Sequence, residues 1–241
     1  MFGILTTILL LFISLGTWAS PLPNNLTSSE RETTLGILGF GTASKLLSSP
    51  YPLGGFQGVE IGISSEFIPV ADLASLGSKT AKRSDFNYYS VSLAKGLFYN
   101  VDILVQFIPI PQDESVSGYG AQVRWAFYET NFMPGALSLI LHGSGTNFGN
   151  VLGTETSGAD VVASVNMRDV SLFFGAGRAR SVGSFAGGTG GVTDSGQTES
   201  ADVFSMHTVF GITIKMSELF LSLEVDRFIQ SSYAGKLGWR F

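Results

Sequence analysis

YAGKLGWRF, residues 233–241, ends the chain on an aromatic side chain. Apolar residues alternate along it with small or polar ones, and Lys236 and Arg240 fall on the polar side. A period of two separates the two faces of a β-strand. The stretch therefore predicts a strand whose apolar face consists of Tyr233, Leu237, Trp239 and Phe241.

The same alternation recurs upstream in blocks of about ten residues. No Lys, Arg, Asp or Glu stands at a central position of the apolar face in any block. The blocks predict about ten antiparallel strands in an all-β fold. They lie at 56–67, 85–95, 99–109, 117–128, 136–146, 158–167, 169–179, 200–215, 217–228 and 233–241.

Two all-β architectures give this pattern. A secreted β-sandwich turns its apolar face inward, whereas a transmembrane β-barrel turns it toward lipid. The connections favour the barrel, because most outer ones would be long and most inner ones short, as in outer-membrane barrels, with the brief 227–231 and the longer 129–135 as exceptions. With Phe241 at the periplasmic end, the outer connections would be 68–84, 110–116, 146–157, 180–199 and 227–231, and the inner ones 96–98, 129–135, 167–169 and 214–217.

Aromatic residues support the same orientation. Outer-membrane barrels carry an aromatic girdle at each membrane interface. We therefore predict a transmembrane antiparallel up-and-down β-barrel over residues 55–241. The residues expected at its periplasmic rim are Phe98, Tyr99, Phe127, Tyr128, Trp239 and Phe241.

The composition narrows the class of protein further. Of 241 residues, 44% are hydrophobic and only 14% are charged, compared with about a quarter in typical soluble domains. The net charge of −5 gives no reason to expect nucleic acid as a partner. The absence of cysteine excludes disulfides, thiolate metal sites and cysteine nucleophiles.

The N-terminus predicts export. An apolar run precedes Thr17-Trp18-Ala19, which approximates the small-x-small cleavage rule. We therefore expect residues 1–19 to be a signal peptide that is cut after Ala19. No Lys or Arg precedes the apolar run, so a retained membrane anchor is the alternative.

Residues 20–54 form a separate N-terminal segment. Its first part is polar and rich in Pro, Asn and Ser, which is typical of a flexible lead-in. The apolar residues between Leu35 and Leu47 predict a short helix that ends before Pro50, although three glycines weaken it. This helix could plug or cap the periplasmic mouth; an extra strand or a loose arm is the alternative.

The ending of the chain is similar to the C-terminal targeting signal of bacterial outer-membrane β-barrel proteins. Tyr233, Leu237, Trp239 and Phe241 match that signal, while Gly235 occupies one expected hydrophobic slot. The resemblance implies location in the bacterial outer membrane and contact with its lipid and lipopolysaccharide. It also implies the barrel-assembly machinery as a partner during biogenesis.

Ten strands enclose a narrow interior, since open porins need about 16. Charges of both signs on neighbouring inward faces have two interpretations. They either satisfy one another as buried ion pairs, or they line a selective passage. The residues predicted to line the lumen are Glu60, Asp102, Gln106, Gln122, Arg124, Asp160, His207, Glu218, Glu224, Asp226, Lys236 and Arg240.

His142 and Ser144 share one strand face and raise an enzymatic alternative. A His activates a Ser when an acceptor orients its ring. The pair is similar to the His-x-Ser arrangement of outer-membrane phospholipases, but the surrounding residues depart from that motif and both side chains are expected to face the lumen. With two histidines on separate strands, no metal site is predicted, and nothing indicates a cofactor.

The sequence thus predicts a non-enzymatic outer-membrane barrel that is either structural or a narrow conduit for small solutes. A lipid hydrolase using His142 and Ser144 is one alternative. A receptor or adhesion protein acting through the loops 68–84 and 181–199 is another. In the first loop, Lys79, Lys82 and Arg83 offer charges that could meet lipopolysaccharide phosphates, but a merely solvated loop is the favoured interpretation.

Overall fold

The computed structural model describes residues 22–78, 85–108, 116–130 and 134–241. Within these residues, ten antiparallel strands form one closed barrel, in the order β1-β10-β9-β8-β7-β6-β5-β4-β3-β2. The predicted ten-stranded all-β barrel is therefore confirmed, while the predicted signal peptide at 1–19 lies outside the described residues. The strands are β1 (Val59–Pro69), β2 (Asp85–Gly96), β3 (Val101–Phe107), β4 (Val116–Glu129), β5 (Gly135–Phe148), β6 (Leu152–Met167), β7 (Val170–Phe185), β8 (Glu199–Met216), β9 (Leu219–Arg227) and β10 (Ser231–Arg240).

The C-terminal strand closes the barrel by pairing with the first strand. Ile63 lies opposite Leu237 in this pair, and their side chains point to the same face. Val59 and Phe241 exchange backbone hydrogen bonds, with N···O distances of 3.2 and 2.9 Å. Closure gives each described strand two neighbours, so the barrel does not present the unpaired edge at which open sheets aggregate.

The strand side chains follow the alternation seen in the sequence. Outward apolar side chains are widely exposed, for example Ile63 at 62% and Phe174 at 60%. Inward positions such as Ser64 and Ser222 are buried. The barrel is therefore apolar outside and largely polar inside, which is the reverse of a water-soluble sandwich.

The connections define two ends of the barrel. The short-turn end holds the chain terminus Phe241 and the connections 97–100, 130–134, 168–169 and 217–218. The long-loop end holds the connections 70–84, 108–115, 149–151, 186–198 and 228–230.

Two outer connections are shorter than predicted. The loop expected over 180–199 spans 186–198, because β7 continues to Phe185. The expected loop over 146–157 is a short turn, because β5 continues to Phe148 and β6 begins at Leu152. Both side chains are buried in an apolar cluster with Leu35 and Phe185. This apolar contact extends the two strands beyond the length that a membrane requires.

The N-terminal segment lies inside the barrel. It consists of helix α1 (Ser28–Gly41) and an extended stretch over 42–58 that includes a 3-10 turn at Gly55–Gln57; residues 26–58 are called the plug below. Every residue from Thr34 to Pro50 is buried. No helix in the described parts of the chain is long and apolar enough to cross a membrane.

The plug runs from one end of the barrel to the other. At the long-loop end, Leu26 N donates to Val192 O at 2.8 Å, and Arg31 forms ion pairs with Asp194 and Glu199. At the short-turn end, Leu53 N donates to Asp102 Oδ2 at 3.1 Å. The chain therefore enters the lumen at the long-loop end and leaves it at the short-turn end before β1 begins.

The start of α1 has an identifiable cause. Thr27 N donates to Glu30 Oε2 at 2.8 Å, as in a capping box. Gly77 N donates to the same carboxylate at 2.9 Å. The backbone N–H groups of Gly77 and Thr27 hold the pKa of Glu30 below its ordinary value. The cap thus also ties the helix to the connection between β1 and β2.

The plug differs from the predicted cap of the periplasmic mouth. The helix begins seven residues before Leu35, at Ser28, ends at Gly41, and lies within the lumen rather than across its mouth. Its glycines allow close packing, because a Cβ at Gly39 would lie 2.2 Å from Ser181 Oγ and one at Gly36 would lie 2.6 Å from Ile229 Cδ1. The residues that lower helix propensity are the ones that let the helix fit against the wall.

We expect a glycine of the barrel wall to tolerate a larger side chain equally poorly. A Cβ at Gly211 would lie 2.0 Å from the buried Phe173 ring, so Gly211→Ala should displace that ring and destabilise the barrel by about 1–3 kcal/mol. A Cβ at Gly153 meets nothing within 4 Å, so Gly153→Ala is the matched control. Urea unfolding of the two variants in detergent micelles checks this, and equal midpoints for both would contradict the packing described.

Candidate functional site

The lumen is the candidate functional site, and most of the predicted lining residues face it. These side chains point inward from seven strands and are each buried. Arg240 also points inward but lies at the short-turn end and is partly exposed. The buried set is Glu60, Asp102, Gln106, Gln122, Arg124, Asp160, His207, Glu224, Asp226 and Lys236.

Glu218 is a correction to the predicted lining. It lies in the turn between β8 and β9, is exposed, and accepts a hydrogen bond from Trp239 Nε1 at 3.0 Å. The turn at 217–218 interrupts the alternation, with Ser217 at a positive φ of 64°. A residue in such a turn no longer follows the inward face of either strand.

The carboxylate of Glu224 binds backbone amides of the plug. Its two carboxylate oxygens accept hydrogen bonds from Leu46 N at 2.9 Å and from Leu47 N at 2.5 Å. The second amide is available because Leu47 adopts a left-handed conformation, with φ of 53°. Successive amides that converge on one anion form a nest, so the carboxylate satisfies a bend that a non-Gly residue adopts at a cost.

Arg124 and Gln122 bind the same part of the plug through its backbone carbonyl groups. Arg124 Nη2 donates to Leu46 O at 2.6 Å, and Gln122 Nε2 donates to Lys45 O at 2.6 Å. Gln122 Oε1 in turn accepts from Arg124 Nε at 2.9 Å. Carbonyls of the extended plug have no partner in a helix or sheet, so these wall side chains supply their hydrogen bonds.

Glu60 is the centre of a buried ion cluster near the short-turn end. Its carboxylate lies 2.7 Å from Lys236 Nζ and 2.5 Å from Arg240 Nη2. Ser48 Oγ of the plug also donates to it, at 3.1 Å. Two strands and the plug therefore share one carboxylate, which is how a buried charge remains satisfied.

A second ion cluster is centred on Lys45, which lies in the plug. Lys45 Nζ is 3.0 Å from Glu66 Oε2, and both side chains are buried. Glu66 also accepts hydrogen bonds from Tyr88 Oη and, at 2.7 Å, from Gln106 Nε2. Sequence reasoning missed Lys45, although a lysine within the apolar stretch 35–47 was a signal that this stretch meets an acid.

The structure brings both histidines together. His207 Nδ1 lies 2.8 Å from Asp160 Oδ1, and His142 Nε2 lies 3.2 Å from Asp160 Oδ2. His207 Nε2 lies 2.9 Å from Asp226 Oδ1. The sequence placed these residues on separate inward faces, but it gave no sign that closure of the barrel aligns them.

Ser144 does not share this arrangement. It faces the lumen but lines a separate cavity of about 10 Å³ with Thr42, Ser44 and Thr146, which holds at most about one water. Within the described residues, His142 donates to or accepts from no hydroxyl of Ser144. A Ser–His nucleophile needs that hydrogen bond, so the geometry offers no support for the hydrolase alternative.

We expect the buried ion cluster to be far more sensitive than an exposed pair. Lys236→Met leaves Glu60 buried with fewer partners and should cost about 3 kcal/mol of unfolding free energy. Arg180→Ala, which breaks an exposed outward pair with Asp202, should cost less than about 1 kcal/mol. Denaturant titration of both variants in the same detergent provides the comparison. A cost at Arg180 that equals or exceeds the cost at Lys236 would refute the ranking.

Comparisons with known proteins concern the fold. No protein-family model and no curated protein sequence matches the chain. The N-terminal β-barrel domain of Pseudomonas aeruginosa OprF is 10% identical over 78% of this chain and 99% of that one, with a TM-score of 0.40. Ail, the attachment invasion locus protein of Yersinia pestis, is 16% identical over 76% and 97%, with a TM-score of 0.30. Acinetobacter baumannii outer membrane protein Omp33 is 9% identical over 79% and 98%, with a TM-score of 0.32. The likeness lies in the barrel, which the strand pairing of this chain establishes by itself.

Proposed function

We propose that this chain is an outer-membrane β-barrel with a structural role, whose lumen is kept closed by its own N-terminal plug. The proposal rests on the hydrogen bonds by which the barrel wall holds the plug. Gln122, Arg124 and Glu224 bind consecutive backbone groups of residues 45–47 from two sides. A conduit for small solutes, the second candidate, would require this plug to move.

The outer surface supports a location in a membrane. Leu141, Val161 and Phe210 point outward with 49%, 50% and 54% of their surface exposed. Soluble monomers rarely present contiguous apolar surface beyond a few hundred Å², whereas a barrel in lipid carries an apolar band of this kind. Since outer-membrane barrels keep their long loops outside, the long-loop end would face the cell exterior.

Two other roles stay predictions. A receptor or adhesion protein would act through 68–84 and 181–199; the lysines and arginine that could meet lipopolysaccharide lie in 79–84, outside the described residues. A lipid hydrolase would need His142 to face Ser144, but its Nε2 faces Asp160.

The structural role predicts that the wild-type protein does not conduct ions in planar lipid bilayers. Arg124→Ala combined with Glu224→Ala removes two contacts to the plug backbone and should produce intermittent channel openings. Arg180→Ala, on the outer surface, is the control and should stay closed. Steady conductance by the wild-type protein would instead favour the conduit.

A reversible lock makes this experiment specific to the plug. A Cβ at Gly120 would lie 3.0 Å from Ser44 Cβ, close to the separation that a disulfide bridges after a small adjustment. The chain has no cysteine of its own. Adding Ser44→Cys and Gly120→Cys to the double variant should therefore abolish the openings under oxidation and restore them on reduction. Openings that persist in the oxidised form would show that the plug is not the barrier.

The direction of the plug gives a test in whole cells. We expect Ser29→Cys, at the exposed start of α1, to react with a membrane-impermeant maleimide on intact cells, as Ser195→Cys in the β7–β8 connection does. Gln57→Cys, at the short-turn end, should react only after the outer membrane is permeabilised. The reverse pattern would invert the orientation, and labelling of Ser195→Cys without Ser29→Cys would contradict the path of the plug.

A further inference from the structure

The two histidines and Asp160 form a compact group of potential metal ligands in the lumen. They come from three strands, with His142 on β5, Asp160 on β6 and His207 on β8. One ligand atom from each lies within 4.8 Å of the others, and all three side chains are buried. Donor atoms bound at about 2.1 Å around a tetrahedral metal ion lie about 3.4 Å apart, so a small closure of the three side chains would bring them around one ion.

Asp226 fixes the ring of His207 in the orientation that coordination needs. His207 Nε2 is hydrogen-bonded to Asp226 Oδ1 at 2.9 Å, which directs Nδ1 toward Asp160. The Phe228 ring stacks on the imidazole at 4.1 Å between centroids. A carboxylate behind a ligating His is the common outer-shell arrangement of metal sites, because it sets the tautomer and the ring angle.

His142 is a buried side chain whose ring nitrogens the protein satisfies poorly. Only 2% of it is exposed, and its Nε2 lies 3.2 Å from Asp160 Oδ2 without the geometry of a good hydrogen bond. Its Nδ1 has no hydrogen-bond partner within the described residues. Burying a polar group without a partner carries a substantial free-energy cost. Coordination of Nε2 to a cation next to Asp160 would give that nitrogen a strong partner.

Two glycines in the wall make room for the group. A Cβ at Gly158 would lie 2.4 Å from His142 Nε2, and one at Gly177 would lie 2.2 Å from Asp160 Oδ1. Neither glycine has a positive φ, so conformation does not require them. Their small size is what admits the imidazole and the carboxylate at this level of the barrel.

The charge around the group favours a cation. Glu66, Asp160, Glu224 and Asp226 are buried carboxylates, and Lys45 is the cation paired with Glu66. Of the other lumen cations, Lys236 and Arg240 bind Glu60, and Arg124 donates to Ser48 Oγ and Leu46 O of the plug. A divalent ion at Asp160 would balance the excess of acids in this part of the lumen.

We propose that His142, Asp160 and His207 bind one divalent transition-metal ion of the zinc type. Imidazole nitrogens with a single carboxylate suit Zn²⁺, whereas Ca²⁺ and Mg²⁺ prefer oxygen ligands throughout. The ion joins β5, β6 and β8, and it also acts on the plug, since Phe40 of α1 stacks on Phe228 at 4.9 Å. The site thus fastens the helix to the wall, whether or not the barrel lies in a membrane.

The test measures metal binding by the whole folded chain. Protein refolded in detergent after EDTA treatment is loaded with Zn²⁺ or Co²⁺, desalted, and checked for the gel-mobility shift between unboiled and boiled samples that marks an intact barrel. We expect about one Zn²⁺ per chain and a visible Co²⁺ absorption band. Excess Mg²⁺ should not displace either ion.

Variants distinguish the site from adventitious binding to surface carboxylates. His142→Ala should abolish stoichiometric binding, and Asp226→Asn, which only reorients His207, should weaken it by about 10–100-fold. Ser144→Ala, the next inward residue on β5, should bind like the wild-type protein. A folded wild-type barrel that retains no Zn²⁺ and gives no Co²⁺ band overturns the proposal, as does binding that is equal in wild type and His142→Ala.

Discussion

The rest of the structure depends on one constraint. The barrel buries charged side chains in a lumen that the side chains of its own wall do not fill. Ten strands enclose more space than an eight-stranded barrel, whose own side chains suffice to fill it. Glu60, Glu224 and Arg124 point into this space and are buried. The plug backbone supplies hydrogen-bond partners to Glu224 and Arg124, and Ser48 of the plug donates to Glu60 beside its partners Lys236 and Arg240.

The plug and the wall satisfy each other in complementary ways. The wall gives carboxylates to the amides of Leu46 and Leu47, and guanidinium and amide groups to the carbonyls beside them. The plug gives Ser48 to Glu60 and Lys45 to Glu66. Neither part would bury its polar groups favourably alone, so the filled lumen is a property of the pair.

The strands could be predicted because their signal is local. Alternation along each strand identified the outward faces and hence the inward ones, and the closing pair of β1 and β10 follows from a final strand that is apolar on one side. Glu218 was misplaced because the alternation was extended through a tight turn. The 146–157 connection was misjudged because Phe148 and Leu152 pack on the plug helix, a contact that no strand pattern contains.

The contacts between residues inside the lumen could not be predicted for the same reason. Leu46 and Glu224 are separated by 178 positions, and Asp160 and His207 by 47. Their proximity depends on barrel closure and on shear between strands, neither of which leaves a mark in the local sequence. Lys45 was visible as a charge within an apolar stretch, and the glycines of α1 as weak helix formers, but the role of each depends on the wall that it packs against.

The ion cluster at Glu60 also constrains the order of assembly. It joins a residue of the first strand, Lys236 and Arg240 of the last strand, and Ser48 of the plug. These groups lie at opposite ends of the sequence, so the cluster cannot form until the earliest and latest segments of the barrel meet. Contacts of such long sequence separation form late and slowly. A barrel that closed without its plug would leave this carboxylate without the donor Ser48. The cluster therefore stabilises the closed barrel more when the plug is already in place.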